Sequence, residues 1–252
     1  MSCWDPGSYP RGDGRVSCTI EASSAEVIIS SPRRRNAISP GMMVDLRAIA
    51  VRLSSRDDVS VVVLRGEGAA FCAGGDLRAV REHLLTPRAG AGMCAYMTAT
   101  LDALAALPMV RIGAVTGPAL GGGAELLGVC DVVYAAVDAP VGFVHAALGV
   151  SPGWGGGRRL VARVGRRSAL RLLTEAGRLS GEQAVDAGLV DVSCTNPLEA
   201  AEAHRARLAK MPVAAVRAAV QVAHGVPEGP LFTALWGGPA HQAILAGVRA
   251  GR

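Results

Sequence analysis

Two glycine-rich turns contain the residues whose types and spacing could support chemistry. The first is FCAGGDL at residues 71–77, and the second is GPALGGGAE at residues 117–125. Glycines that open a helix direct backbone N–H groups into a cleft, where the helix N-terminus favours negative charge. Two such turns could form an oxyanion hole, in which each N–H donor is worth about 3 kcal/mol in comparable sites. Tight turns or close helix packing are the alternative interpretation, and neither turn has the spacing of a nucleotide-binding loop.

Two side chains near these turns, Glu125 and His145, are of types that transfer protons near neutral pH. Glu125 falls in the first turn of the helix predicted after the three glycines, where a carboxylate could also simply complement the helix dipole. His145 precedes an apolar Ala-Ala-Leu run, so a hydrogen-bonded core histidine is the alternative there.

Three consecutive cations, Arg33, Arg34 and Arg35, form a third feature and precede Asn36 in a predicted loop. A run of this kind is either a solvated surface turn or a contact for a phosphate-bearing ligand, because guanidinium forks match the geometry of phosphate. The pattern alone leaves both interpretations open.

The elements that must position these residues are strands and helices in alternation. VSCTIE and AEVIIS, within residues 16–30, predict an antiparallel hairpin, and VSVVVLRG at 59–66 is typical of a strand buried on both faces of a parallel sheet. Further strands are predicted at 110–116 and 131–135, and helices at 42–53, 76–85, 91–107 and 121–129. Beyond residue 152 only helices are predicted, at 156–164, 168–174, 180–187, 198–210 and 212–224. This alternation predicts an α/β fold with right-handed βαβ connections.

Composition excludes several classes of protein. The chain has 252 residues, 50% of them apolar, and its 26 basic and 21 acidic residues give a net charge of +5. The six cysteines form no CxxC pair and the five histidines no HExxH pattern, which argues against a zinc site or a disulfide scaffold. The N-terminus lacks the pattern of a signal peptide, and the long uncharged stretch at 139–157 contains two prolines and six glycines. We therefore expect a cytoplasmic protein without a transmembrane segment.

Three motifs in the same order carry a resemblance to a known family. FCAGGDL, GPALGGGAELLGVCD and ALGVSPGWGG resemble the crotonase (enoyl-CoA hydratase/isomerase) superfamily, and the resemblance covers roughly residues 16–210. It implies a spiral of ββα units, with a helical C-terminal region that builds a homotrimer or a dimer of trimers. It also implies an acyl-coenzyme A substrate and no metal or redox cofactor. We expect a disordered segment at 1–14, a spiral core at 15–195 and the C-terminal helical region at 196–252.

The same resemblance implies roles for individual residues. The oxyanion donors would be the N–H groups of Ala73 and Gly122, and Glu125 and His145 would be the candidates for proton transfer. The residues expected to bind substrate are Arg35, Ala37, Gly74, Gly75, Asp76, Leu77, Gly121, Trp154 and Trp236. We expect the two tryptophans among them to shape the acyl pocket, with core or subunit-interface packing as the alternative.

Position 145 distinguishes the reactions of this superfamily. A hydratase of the family uses two glutamates on the water, and here Glu125 matches the first while His145 occupies the place of the second. The FVH segment, the SPGWGG loop and LWGGPA at 235–240 are most similar to the ethylmalonyl-CoA and methylmalonyl-CoA decarboxylase branch. Loss of CO2 from a malonyl-type thioester gives an enolate, which an oxyanion hole stabilises and a nearby acid must protonate. The sequence does not rank Glu125 and His145 for that protonation.

Two further functions remain open on sequence alone. The first is an enoyl-CoA hydratase or isomerase that uses Glu125 by itself. The second is a catalytically idle scaffold or an RNA-binding member of the fold, although the chain has a single lysine and no aromatic stripe suited to nucleic acid. We expect a carboxy-lyase with an acyl-CoA partner, and neither a nucleic acid nor a membrane as partner.

Overall fold

A computed structural model describes residues 4–250 of the chain, with side chains for residues 4–247. A sheet of six strands forms its centre. In spatial order these strands are β1 (Arg15–Glu21), β2 (Ser24–Ser30), β3 (Val61–Gly66), β4 (Val110–Val115), β6 (Val132–Ala136) and β8 (Val192–Cys194). Two short strands, β5 (Ala119–Leu120) and β7 (Val141–Gly142), form a second sheet.

The strand directions match the expectation from the sequence. β1 and β2 form the antiparallel hairpin, with Val16 opposite Ile29, and every later pair of neighbours in the main sheet is parallel. β3 is buried along almost its whole length, as its β-branched run predicts for a strand covered on both faces. The predicted α/β class is confirmed.

The small second sheet reveals the repeating unit of the fold. β4 is followed by β5 and then by helix α4 (Gly122–Leu127), and β6 is followed by β7 and then by helix α5 (Gly156–Glu175). β5 and β7 pair in parallel, and a bridge between Cys72 and Ala119 extends this layer to the first glycine-rich turn. The order strand, short strand, helix is the expected ββα unit, and it brings the two glycine-rich turns side by side.

Several of the remaining α-helices begin at a capping side chain. These remaining helices are α1 (Pro40–Ser54), α2 (Leu77–Ala79), α3 (Pro87–Ala105), α6 (Gly181–Asp186), α7 (Pro197–Leu208), α8 (Val213–Ala223), α9 (Glu228–Leu235) and α10 (Pro239–Ala250). The Ser39 side chain accepts the N–H of Met42, the Thr86 side chain accepts that of Ala89, and a proline follows each cap. α5 is interrupted at Gly165, where φ is 76°, between the two helices predicted from the sequence.

Both faces of the main sheet are covered. The larger core contains buried side chains such as Ile29, Leu46 and Leu101, whereas a smaller cluster on the other side includes Val63 and Ala201 of α7. α7 therefore packs directly on β3, β4 and β6. The prediction of helices alone beyond residue 152 is wrong at β8, which pairs with β6. The boundary expected after residue 195 stays a prediction.

The N-terminal segment, residues 4–14, lies against α1 and α3, although we expected disorder up to residue 14. Its Trp4 covers Gly92 of α3 so closely that a Cβ added to this glycine would lie 2.2 Å from the Trp4 Cβ. Local sequence periodicity does not reveal such an aromatic contact with a distant glycine. Residues 1–3 of the expected segment lie outside the described part of the chain.

The described cysteines, Cys18, Cys72, Cys94, Cys130 and Cys194, are all free thiols, and Cys3 lies outside the described residues. Burial raises the pKa of the Cys72 thiol, in the first glycine-rich turn, to about 12. Among the helices of residues 4–250, none is long and apolar enough to cross a membrane.

Candidate active site

The first glycine-rich turn, which follows β3, has a free N–H group at Gly75. The Ala73 N–H donates to the Arg35 carbonyl oxygen at 2.9 Å, so the fold itself occupies this donor. Gly74 adopts φ of +106°, which favours glycine, and its carbonyl oxygen accepts the N–H of Ile38. The Gly75 N–H makes no hydrogen bond to any described residue. The assignment of an oxyanion donor to Ala73 is therefore wrong, and Gly75 is the free donor of this turn.

The second glycine-rich turn presents the Gly122 N–H at the beginning of α4. Gly121 precedes the helix with φ of +54°, and Gly122 is the first helical residue, whose N–H has no partner within a helix. A Cβ added to Gly123 would lie 2.0 Å from the Cys72 carbonyl oxygen, so the third glycine allows α4 to approach the first turn. A Cβ added to Gly74 would lie 3.3 Å from the Gly122 nitrogen. The two turns are thus in direct contact.

The indole of Trp154 lies against both of these glycines. A Cβ built on Gly122 would lie 2.4 Å from the indole Cζ3, and one built on Gly75 would lie 3.8 Å from Cζ2. Trp154 is 4% exposed, so the ring is a fixed apolar wall beside the two N–H groups. N–H donors beside an apolar, water-poor surface stabilise a developing negative charge more strongly than the same donors in water.

The Glu125 carboxylate holds the loop that carries Trp154. Its Oε2 accepts the N–H groups of Trp154 and Gly156, both at 2.8 Å, and its Oε1 accepts that of Gly153 at 3.2 Å. Gly156 begins α5, so the carboxylate also lies at the positive end of that helix dipole. Arg159 donates to the Trp154 carbonyl oxygen from the other side, and burial lowers the pKa of its guanidinium.

His145 completes this cluster from the loop after β7. Its Nε2 lies 3.1 Å from the Glu125 Oε1, and both side chains are buried. Its Nδ1 is also buried and has no hydrogen-bond partner among the described residues. Because buried polar atoms are nearly always paired in proteins, an unpaired ring nitrogen beside a carboxylate marks a functional candidate. The structure thus brings together the two candidates for proton transfer that the sequence could not rank.

Asp76 connects the arginine loop to the first glycine-rich turn. Its carboxylate forms an ion pair with Arg34 and accepts the N–H of Arg78 at 2.9 Å, which caps α2. Arg33 and Arg35 are exposed and form no ion pair with the part of the chain that the structure describes. These two guanidinium groups are therefore the cations of the triplet that an anionic ligand could reach.

The two remaining candidates near this loop have different exposure. Ala37 is half-buried, directly after the loop, and Leu77 at the start of α2 is 58% exposed. Leu77 is therefore accessible at the surface of the site, and the role of both residues in substrate binding stays a prediction.

Trp236 lies apart from the other candidates. It is 66% exposed and stacks on Phe232, with 5.1 Å between ring centroids. The centroid of the His241 ring lies 4.7 Å from that of the indole. The apolar groove around it, of about 550 Å³, is lined by residues between 212 and 244 and by none of the glycine-rich turns. The role of Trp236 in shaping the acyl pocket stays a prediction.

Two residues that hold the site together escaped the sequence analysis as functional candidates. The buried Asn36 donates from its side-chain amide to the carbonyl oxygens of Glu67 and Ala70, which fixes the approach to the first turn. Arg159 holds the Trp154 carbonyl oxygen. Only the position of Asn36 beside the arginine triplet was a signal, whereas Arg159 is one of many arginines in the chain.

Comparisons with known proteins give a consistent result. The profile of the family described as "Enoyl-CoA hydratase/isomerase" matches residues 19–227. The ethylmalonyl-CoA decarboxylase of Danio rerio is 35% identical, over 95% of this chain and 84% of that protein. The one of Homo sapiens is 33% identical, over 86% and 76%. A crystal structure of an enoyl-CoA hydratase from Bacillus anthracis superimposes with a TM-score of 0.83 at 25% identity, over 94% of this chain and 97% of that one.

Proposed function

The chain belongs to the enoyl-CoA hydratase/isomerase family, and from this membership we propose that it decarboxylates a malonyl-type coenzyme A thioester, methylmalonyl-CoA or ethylmalonyl-CoA. The thioester oxygen accepts hydrogen bonds from the N–H groups of Gly75 and Gly122. The observation that carries the proposal is that these two neighbouring N–H groups have no hydrogen-bond partner among the residues that the structure describes.

The reaction requires no electron acceptor outside the substrate. The bond between Cα and the departing carboxylate breaks, and its electron pair forms the Cα=C bond while the carbonyl π electrons move to the oxygen. CO2 leaves and the thioester enolate remains, with its charge held by the two N–H donors. One proton is then added at Cα, which gives the saturated acyl thioester. The Glu125–His145 pair is the source of this proton, and no cofactor takes part in the reaction.

The chemistry of the pair favours decarboxylation over hydration. Addition of water to an enoyl thioester divides the base and acid roles between two carboxylates, and here a histidine faces Glu125. Three backbone N–H groups already occupy the Glu125 oxygens, which leaves little capacity to orient a water molecule. The names of the relatives from Danio rerio and Homo sapiens support the same choice.

The remainder of the substrate and the assembly complete the proposal. Arg33 and Arg35 contact the phosphates of coenzyme A, since guanidinium groups suit phosphate oxygens and both are exposed beside the site. The protein acts in the cytoplasm as a homotrimer or a dimer of trimers. The apolar groove of about 550 Å³ around Trp236 supports contact with another copy.

Mass spectrometry tests the reaction directly. The purified protein is incubated in deuterated water with malonyl-, methylmalonyl- and ethylmalonyl-CoA, and in parallel with crotonyl-CoA. We expect loss of CO2 from a substituted malonyl thioester and incorporation of one deuterium at Cα. If only crotonyl-CoA reacts, by gaining water, the protein is a hydratase and the proposal fails.

A further inference from the structure

We propose that Glu125 is a positioning residue, which acts by holding the Trp154 indole against the two oxyanion donors rather than by transferring the proton. The inference rests on the proposed function for its kinetic consequences, but the contact between Glu125 and the Trp154 loop is independent of the substrate. It ranks the two members of the acid–base pair, which the sequence left equal.

The hydrogen bonds of Glu125 hold the loop that carries Trp154 in place. Both carboxylate oxygens are occupied by backbone N–H groups, and the side chain is 1% exposed. The loop is also held by Arg159, which donates to the Trp154 carbonyl oxygen, and by Thr98, whose hydroxyl donates to the Gly153 carbonyl oxygen at 3.3 Å. The bonds to Glu125 and these two donors thus fix a loop of four residues, at the point where its aromatic ring meets Gly122.

The loop also packs closely over the Glu125 side chain. A Cβ added to Gly156 would lie 2.4 Å from the Glu125 Cγ and 2.7 Å from its Oε2, so the loop closes tightly over the carboxylate. Within the described part of the chain, His145 is the member of the pair that has an unpaired nitrogen, at Nδ1. The proton donor to Cα is therefore His145, whose Nε2 lies 3.1 Å from the Glu125 Oε1.

The position of the indole determines which acyl group fits beside the enolate oxygen. Methylmalonyl and ethylmalonyl thioesters differ by one methylene, and a single methylene in an apolar pocket changes kcat/KM by about 10- to 200-fold. A wall that moves by a fraction of an ångström therefore alters this ratio. Glu125 sets the acyl preference through Trp154, with no contact to the acyl group.

Substituting Glu125 by glutamine and by alanine distinguishes a residue that holds the Trp154 loop from one that donates the proton. The Glu125→Gln side chain keeps one carbonyl oxygen, which can still accept the N–H groups of Trp154 and Gly156, whereas Glu125→Ala loses every bond. If Glu125 only holds the loop, we expect the kcat of the glutamine variant to lie within about tenfold of that of the parent protein. The kcat of the alanine variant should be about 100-fold lower. Equal losses of kcat in both variants would show an acid and overturn the inference, since neither side chain can replace a carboxylic acid.

The ring itself can be observed without substrate. The protein has three tryptophans, so 5-fluorotryptophan labelling gives three ¹⁹F resonances, and Trp154→Leu identifies the one of interest. We expect the chemical shift of this resonance to move toward that of a solvent-exposed fluorotryptophan in Glu125→Ala, and to move less in Glu125→Gln. The matched control is Glu202→Gln on α7, which pairs with Arg205 and is expected to leave the resonance unchanged. An unmoved Trp154 resonance in Glu125→Ala would overturn the inference whatever the enzyme catalyses.

A double-mutant cycle gives the kinetic test. In the Trp154→Leu background the wall is gone, so Glu125→Gln should lower kcat/KM by less than threefold and should leave the ratio between methylmalonyl-CoA and ethylmalonyl-CoA unchanged. A further loss of tenfold or more would show a chemical role for Glu125. Absence of turnover with every malonyl thioester would refute the proposed function alone, because the ¹⁹F measurement still decides the anchoring.

Discussion

Replacement of Gly122 by alanine tests whether the Trp154 wall is rigid. The added Cβ would lie 2.4 Å from Cζ3 and 2.5 Å from Cη2 of the indole. Carbon atoms in ordinary contact lie about 3.5–4.0 Å apart, so the ring or α4 must move by about 1 Å. The loop bonds to Glu125 and Arg159 restrain the ring, and the approach of Gly123 to Cys72 restrains α4.

The magnitude follows from two opposing terms. Overpacking of a rigid site costs about 1–3 kcal/mol. Replacing a helical glycine by alanine stabilises the folded protein by about 1 kcal/mol, and Gly122 already has a helical backbone. The net loss is about 0–2 kcal/mol, or up to about 8 °C in Tm for a chain of this size. A displacement of about 1 Å at the oxyanion donor should lower kcat about 100-fold.

Differential scanning fluorimetry and steady-state kinetics measure the two effects. Gly75→Ala is the matched stability control, because its Cβ would lie 3.8 Å from Cζ2, an ordinary contact, and its Tm should change by less than about 2 °C. A Gly122→Ala protein with a raised Tm and undiminished turnover would show that the indole retreats freely. The rigid wall, and the preorganised oxyanion hole that depends on it, would then be refuted.

Two further predictions concern other parts of the site. Asp76→Ala should lower the free energy of unfolding in urea by about 1 kcal/mol through loss of the α2 cap, whereas Asp76→Asn should keep most of it; equal losses would contradict the capping role. Iodoacetamide at pH 8 should label the exposed Cys94 but not Cys72 or Cys130, whose thiol pKa values burial raises to about 12. Unfolded thiols titrate near 9, so these groups contribute stability that is full below pH 9 and falls between pH 9 and 12.

The sequence predicts the elements of this fold better than the hydrogen bonds between them. The β-branched run of β3 and the helix predicted at 42–53 rest on local patterns, and the structure confirms both as β3 and α1. β8 has only three residues, which are too few for a periodic pattern to mark it. The packing of Trp4 on Gly92 joins residues far apart in the chain and has no local signal either.

In the candidate site too, local patterns are predicted from the sequence, whereas hydrogen bonds between distant residues are not. The sequence located both glycine-rich turns, because glycine runs after strands are local patterns. It chose Ala73 instead of Gly75, since the choice depends on which N–H the distant Arg35 carbonyl oxygen occupies. It also paired Glu125 with His145 as candidates, but the three N–H groups that surround the carboxylate come from a loop some 28 residues further along the chain.

The use of main-chain N–H groups as the two oxyanion donors has a consequence for the evolution of this protein. A side-chain donor can be deleted by one nucleotide change, whereas a main-chain donor survives every substitution except proline. Apart from a change to proline, the donors at Gly75 and Gly122 can therefore be lost only when a new side chain fills the space above them. Position 145, whose side chain does not form the wall beside these donors, is free of that constraint. Changes there can redirect the enzyme to another acyl group or another reaction while the capacity to stabilise an enolate is inherited intact.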